Sequence, residues 1–527
     1  MRAHIQFPRS TQRRHFKIRP LWVILAILLA ILLAGGVLVA RQIPEWLRKA
    51  PKTSPAGWLE NISAQSPEPL TIAWAYRPHT YTGRPEGLDV LAPTWFYVEG
   101  TAEKPELKTI AQLGESCDFA QFVSQAHADG LKIWGTAVSM TPELSAALVH
   151  SQEHTAAFAA QLAQYVTDYQ LDGVNFDFEN MDPDDKLLYS DFIAQCRAAL
   201  PEGTVLSVCT NIRMRNPDPN NFWQCYDHET LAQHADYLCV MAYDQNGSFS
   251  QEDGPVASLE WVDASLQTLL EVVPSDKVLL GVPFYGRDYT YTQQGGEYLP
   301  AWKTNSKMTV PVYDRHIQRL LEEGSYQDLR GNTVTVSQWN AQGTWMEPEA
   351  ARYYEFVDTD NNLHKMWFDD GQALSLKSKL ARRYHLAGSA VWEFAYASDS
   401  LWQGLAQGYT LYTPGGAQVA ALQDLLEQAQ QLQWFSAEGD WMGTSADAPA
   451  ALRQALNTAG YNAQKDEMTT GEYLILTAED GTEYRIDFAD DVLWPDAALG
   501  EKLGLADGQI ELVPGSLRAQ VAPLFAK

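Results

Sequence analysis

The chain has 527 residues, 46% of them hydrophobic and 20% charged, which excludes a disordered, collagenous or purely coiled-coil protein and leaves room for two or three domains. Asp and Glu outnumber Lys and Arg by 66 to 38, a net charge of −28, and a surface that acidic would be repelled by a nucleic-acid backbone. The charge is uneven. Residues 1–52 hold ten of the Lys/Arg and a single acid, Glu45, for a net +9, so the remainder carries −37.

The first element is the run Leu21–Ala40, twenty residues without a charge. As a helix it would span about 30 Å, the thickness of a bilayer's hydrocarbon core. Residues 1–20 before it carry Arg2, Arg9, Arg13, Arg14, Lys17 and Arg19 and no acid. The positive-inside rule then keeps this tail in the cytoplasm and exports everything after Ala40. The rival reading is a cleaved signal peptide; Leu38/Ala40 make a poor small-x-small site and Ala34/Gly36 a better one, but the apolar run is long for a signal. The expectation is a single-pass anchor in a bacterial cell membrane with the rest of the chain extracytoplasmic. Residues 41–68, with Pro44, Pro51, Pro55 and Pro67, read as a linker.

From residue 69 short β-branched or aromatic runs alternate with helical stretches. The predicted strands are Leu70–Tyr76, Asp89–Val98, Lys132–Val138, Gly173–Glu179, Val205–Asn211, Tyr237–Tyr243, Lys277–Tyr285 and Ser389–Tyr396. Thr155–Tyr169 and Pro183–Ala199 show helical periodicity between them. Eight strands alternating with helices predict an α/β fold, a parallel (β/α)8 TIM barrel over residues 69–408. The long gap between strands seven and eight, 288–370, reads as an α+β insertion walling a cleft. Beyond it, Ala417–Gln433 and Pro449–Ala459 look helical, and Glu472–Ala478 with Thr482–Phe488 look like a hairpin. Residues 409–527 therefore form a small C-terminal α+β domain. Its Trp434, Trp441 and Trp494 are candidates for a ligand site, although large aromatics in so small a domain are ordinarily core, and no function is assigned to it.

The five cysteines show no CxxC spacing, and Cys209 and Cys239 inside apolar strands read as buried thiols. The eleven histidines form no HExxH motif, and no nucleotide-binding glycine loop is present, so no metal or other cofactor is implied.

The chemistry concentrates on strand four, Asp172-Gly173-Val174-Asn175-Phe176-Asp177-Phe178-Glu179. Alternation puts Asn175, Asp177 and Glu179 on one face, toward the barrel interior, and Val174, Phe176 and Phe178 on the other. The row ends at the C-terminal rim, where barrel enzymes keep their catalytic groups. Mutual repulsion raises one carboxyl of such a pair, leaving a protonated acid beside an ionised neighbour, which is what a general acid needs.

This run resembles the DxxDxDxE signature of glycoside hydrolase family 18, the chitinase-like barrels. Asp172, Asp177 and Glu179 fall on it, while Asn175 replaces one acid, as in the branch resembling spore-cortex and peptidoglycan N-acetylglucosaminidases. Met241-Ala242-Tyr243-Asp244 is similar to the family's MxYD, Gly281–Arg287 to its GxPxYGR, and Val391-Trp392-Glu393 to the segment whose Trp floors the sugar subsite. Pro93-Thr94-Trp95-Phe96 resembles the cortex-lytic branch. The resemblance implies a substrate-assisted retaining mechanism, outside the usual two-carboxylate scheme. Glu179 would be the proton donor, Asp177 would orient the substrate's acetamide, Tyr243 would hold it, Asp244 would contact sugar hydroxyls, and Trp392 would stack beneath the ring. Asn175, Tyr285, Trp95, Tyr76 and Asn211 join the substrate-binding candidates by position. The implied partner is an N-acetylglucosamine polysaccharide, peptidoglycan or chitin, cleaved at β-1,4 bonds. The alternative is a chitinase-like lectin of the envelope, which the retention of Glu179 and Asp177 disfavours.

Overall fold

The computed structural model describes residues 59, 61–63, 68–214, 222–304, 309–462, 471–489, 491–505 and 508–525. The basic tail, the apolar segment 21–40 and nearly all of the linker lie outside them; among the described residues no helix is long and apolar enough to cross a membrane.

Eight parallel strands form the barrel: β1 (Leu70–Ala75), β2 (Val90–Thr101), β3 (Lys132–Ser139), β4 (Gly173–Phe178), β5 (Val205–Asn211), β6 (Tyr237–Met241), β7 (Val278–Pro283) and β8 (Gly388–Trp392). Each pairs with the next, and β8 pairs with β1, so the sheet closes. Seven of the eight follow the predicted runs to within three residues at both ends. The last predicted run, which reached Tyr396, instead stops at Trp392, where the chain turns into a 3-10 segment, Phe394–Tyr396.

Period-2 alternation sorts the side chains into two cores. Ile72, Trp74, Trp134, Cys209, Cys239 and Leu279 pack inside the barrel. Val174, Phe176 and Phe178 belong to the larger core between strands and helices. The helix Lys186–Ala199 covers them, burying Tyr189, Phe192, Ile193 and Cys196 at the i, i+3, i+4, i+7 spacing of one helical face. The Phe192 ring sits 6.0 Å from Phe176 and 5.5 Å from Phe178. The helix Gln152–Tyr169 beside it starts at Ser151, whose hydroxyl accepts the His154 N–H at 3.3 Å. Gly173 leaves room inside for the Trp134 indole, whose atoms a Cβ there would meet at 2.6–2.9 Å.

Between β7 and β8 an antiparallel sheet spans Gly286–Phe368, starting two residues earlier than expected. A buried charged cluster ties it together. His364 reaches Asp288 at 2.7 Å through Nδ1 and Asp358 at 3.2 Å through Nε2, and the Tyr326 hydroxyl donates to Asp288 at 2.8 Å. The loop following β6 is pinned to this sheet through Asp253, which accepts from the Tyr291 hydroxyl, from Lys365 at 3.3 Å and from the Trp367 indole at 3.0 Å.

The C-terminal region is an eight-stranded antiparallel sheet with helices. Its first helix ends at Glu427, not at Gln433; Gln431–Phe435 is a strand whose Leu432 and Trp434 alternate into the core. Trp434 and Trp494 are core residues, the latter donating to Gln509 at 2.9 Å, whereas Trp441 is about half exposed. The sheet docks on the end of the helix Gly371–Arg383. Buried Glu511 meets Lys379 at 2.8 Å and Arg383 at 3.2 Å, and Arg383 donates to the Leu512 carbonyl at 2.6 Å. Because that helix leads directly into β8, the contact lies at the N-terminal rim of the barrel. The segment before β1 is held at the same rim: Asn61 donates to the Leu270 carbonyl and the Ser63 N–H to Ser275, each at 2.9 Å, just before β7.

Candidate active site

At the opposite rim β4 delivers the row seen in the sequence. Asn175 lies deepest, then Asp177, with Glu179 just beyond the last strand residue and its N–H bonded to the Ser139 carbonyl at 3.0 Å. The β4 backbone is continued on one side by Tyr226, whose hydroxyl donates to the Phe178 carbonyl at 2.8 Å.

Burial raises both carboxyls above the ordinary carboxylate range. Glu179 rises the further, because after burial it also feels the negative charges of Asp177 and Asp244. For Asp177 burial dominates, opposed by a hydrogen bond from the Cys209 thiol. Its Oδ1 is buried and has no protein hydrogen-bond partner. The pair thus offers a proton donor at the rim and, one step deeper, an acceptor without a donor.

β6 and β7 build the facing wall. Asp244 adopts a left-handed φ of 57° at the turn after β6, a conformation Asp tolerates. Its Oδ1 accepts from the Tyr285 hydroxyl at 2.7 Å and from Arg287 at 2.8 Å. Tyr243 leans on Tyr285 with ring centroids 6.3 Å apart. That approach needs Gly281: a Cβ there would lie 2.4 Å from the Val240 carbonyl oxygen and 3.1 Å from the Tyr243 ring. Trp392 ends β8, with a cis peptide to Glu393, and packs 6.2 Å from Trp74, so its ring belongs to the floor where the barrel interior opens.

Glu179, Asp177, Tyr243, Asp244 and Trp392 therefore surround one opening, with Asn211 at the end of β5 bearing a buried amide nitrogen without a protein partner. Tyr76, 60% exposed, stands on the rim beyond β1. Tyr285 reaches the site through its hydrogen bond to Asp244 and its ring contact with Tyr243. Two expected substrate contacts are placed elsewhere. Asn175 is 1% exposed, its amide bonded to Ser207 at 2.8 Å and Cys209 at 3.3 Å, so it supports the row from below. Trp95 is fully buried on the helix side, edge-on to Phe119 and Phe122, with its N–H given to the Pro78 carbonyl at 3.1 Å. A core indole with a satisfied N–H has no face left for a sugar.

Three residues of this end drew no role from the sequence. Arg287 anchors Asp244. Glu393, 3% exposed, accepts the Tyr76 N–H at 3.1 Å and is pushed up by burial to about 7. Phe249, 63% exposed, sits on the pinned loop after β6 beside Arg287. Arg287, inside the GxPxYGR-like run, and Glu393, inside the Val391-Trp392-Glu393 segment, each lay in a motif the sequence shows; Phe249 had no such signal.

The chain is similar to known glycosidases. It is 25% identical over 277 residues to the uncharacterized glycosylase YvbX of Bacillus subtilis, covering 50% of this chain and 70% of that one. It is 22% identical over 261 residues to the cortical fragment-lytic enzyme of Bacillus anthracis, covering 49% of this chain and only 54% of the relative. The structure of the Bacillus cereus spore cortex-lytic enzyme SleL superposes with a TM-score of 0.52 at 17% identity, over 65% of this chain and 75% of that one, a likeness of fold. The family model for glycosyl hydrolases family 18 matches residues 101–397, which run from the end of β2 through the Trp392 floor and make up more than half the sequence. On that match the chain belongs to glycosyl hydrolases family 18, and it is a glycosidase.

Proposed function

We propose that this glycosidase cleaves β-1,4 bonds next to N-acetylglucosamine in a cell-envelope glycan by substrate-assisted, retaining catalysis, held at the membrane by residues 21–40. The observation that carries the reading is the buried, partnerless Oδ1 of Asp177 directly beneath a carboxyl that burial keeps protonated. An acetamide N–H supplies the missing donor.

In the first step Glu179 gives its proton to the glycosidic oxygen, which leaves as an alcohol, while the substrate's acetamide oxygen bonds to the anomeric carbon. The product is an oxazolinium ion, whose N–H Asp177 accepts and whose charge it offsets. In the second step Glu179, now a carboxylate, takes a proton from water as the water oxygen attacks the anomeric carbon and the oxazolinium opens. Two displacements retain the anomeric configuration. Tyr243 lies within the same opening to hold the acetamide, and Trp392 offers an apolar face to the ring. The similarity to the glycosylase YvbX and to the cortical fragment-lytic enzyme supports an envelope glycan as the natural substrate. The location rests on the charge-free run alone.

The test is turnover of chitin oligomers and purified peptidoglycan by wild type, Glu179→Gln and Asp177→Asn. General acid–base catalysis is worth about 100- to 10,000-fold, so Glu179→Gln should fall by at least that much. De-N-acetylated oligomers should not be cleaved. Comparable turnover of acetylated and de-acetylated oligomers would refute substrate assistance, and an active Glu179→Gln would refute the site.

A further inference from the structure

One buried carboxyl at the catalytic rim has no part in the steps above. Glu393 follows Trp392 directly, where β8 ends, and is 3% exposed. Its Oε2 accepts the Tyr76 N–H at 3.1 Å, so it bridges the end of β8 to the chain leaving β1. Among the described residues no Lys or Arg pairs with it; burial pushes the carboxyl up, and the Tyr76 N–H is what counters that. A buried acid without a cation costs free energy, and here it fixes a single backbone position.

That position is held from the other side as well. Arg77, next along, has a left-handed φ of 45°, uncommon for a residue with a side chain. Its N–H donates to Thr94 Oγ1 at 2.8 Å, and its guanidinium to the Tyr97 hydroxyl at 3.1 Å and to Glu115 at 2.5 Å. Thr94 Oγ1 in turn donates to the Ala75 carbonyl at 3.3 Å. Residues from β2, from the loop bearing Glu115 and from the end of β8 thus over-determine a turn whose Tyr76 ring stays 60% exposed. A lone exposed tyrosine needs no explanation, but a strained turn fixed from three sides around one does.

The order of strands places that ring along the cleft. β1 lies beside β8, and β4 is four strands from β8 in either direction. Trp392 packs 6.2 Å from Trp74, two residues before Tyr76. The path from Glu179 over Trp392 therefore continues to Tyr76. Glu179 protonates the departing oxygen, and the sugar on Trp392 is the one whose anomeric carbon is attacked. A sugar beyond it is the next toward the non-reducing end. We propose that Glu393 is a positioning residue of the cleft: by holding the Tyr76 backbone it sets the Tyr76 ring as the platform for that second sugar. The preferred substrate is then a glycan with at least two sugars on the Trp392 side of the cleaved bond. The inference rests on the roles proposed above for Glu179 and Trp392.

The experiment compares kcat and KM on 4-methylumbelliferyl glycosides of one and of two N-acetylglucosamine units, the first filling only the Trp392 position. The proteins are wild type, Tyr76→Ala, Glu393→Ala, the double variant, Glu393→Gln and Glu179→Gln. In Glu393→Ala the advantage of the two-sugar over the one-sugar glycoside in kcat/KM should fall about 2- to 10-fold, the worth of one net hydrogen bond, and the loss should appear in KM and not in kcat. Tyr76→Ala should lose as much, and the double variant no more than either alone. Glu393→Gln, which keeps an acceptor oxygen, should retain the wild-type advantage. Equal losses on both glycosides, a Glu393→Gln as impaired as Glu393→Ala, or additive losses in the double variant overturn the proposal. If Glu393→Ala does not fold, Tyr76→Ala decides: an undiminished two-sugar advantage overturns the proposal. If the one-sugar glycoside is not turned over, dissociation constants of the two glycosides, measured in a Glu179→Gln background, give the same ratio. Cleavage by Glu179→Gln would instead sink the functional reading, whatever the rim variants do.

Discussion

Asp244 acts on the proton donor without touching it. Its charge, held by Tyr285 and Arg287, is one of the two that keep Glu179 protonated. With the donor required neutral and Asp177 required ionised, activity should be bell-shaped, with an acid limb near pH 6 and an alkaline limb near pH 8. Asp244→Asn removes a negative charge and leaves Arg287 uncompensated, and both changes favour the Glu179 carboxylate. Its alkaline limb should therefore move to lower pH, measured on kcat/KM; a limb that stays or rises would contradict the assignment. Much of this was legible in the sequence, because alternation along β4 needs no knowledge of neighbours. The partners of Asn175 were not, since which side chains stand beside it depends on the register of β3 and β5. Trp95 was misplaced by position at a strand end. Leu91, Pro93 and Trp95 share the parity opposite to inward Val90 and Ala92, so alternation alone would have turned it toward the helices.

At the scale of elements, the insertion depends on charge more than the barrel does. Burial opposes a charged His364, but Asp288 and Asp358 outweigh it and raise the imidazole to about 10. A histidine raised from its ordinary value of about 6.5 stabilises fully below that value and loses the contribution as pH climbs toward 10. Thermal stability of the wild type should thus fall between pH 6.5 and 10. His364→Leu strands Asp288 and Asp358 without their cation, at about 3–5 kcal/mol for a broken buried pair, and flattens that slope. A melting curve with the same alkaline slope in both proteins would contradict this. The sequence located the insertion by its length and aromatic content, but not its sheet, because antiparallel pairings between strands tens of residues apart leave no local period. The helix predicted to run to Gln433 failed for a related reason. Leu432 and Trp434 alternate with period 2, but the segment is too short to stand out beside the eleven helical residues preceding it.

At the scale of the molecule, barrel and C-terminal sheet share a buried ionic joint. Burial disfavours the Glu511 carboxylate, but Arg383 and Lys379 overcome that and hold it below its ordinary range. Glu511→Ala leaves two cations without their partner in a closed interface, a loss of about 3–5 kcal/mol. Limited proteolysis should then release the C-terminal region, while cleavage of soluble oligosaccharides continues, since the joint lies at the rim opposite Glu179. Loss of turnover in a variant whose barrel remains folded would contradict that separation.

Both attachments of the barrel, the segment tied to Leu270 and Ser275 and the sheet tied through Glu511, sit on one rim. Among the described residues, both attachments therefore lie on the barrel's back, away from the carboxyl row. A rigid, insoluble glycan sheet needs a flat line of approach, which a domain flanking the mouth would block. Among the described residues the insertion wall and the loop bearing Phe249 flank the mouth, so a change made there leaves both attachments at the opposite rim untouched.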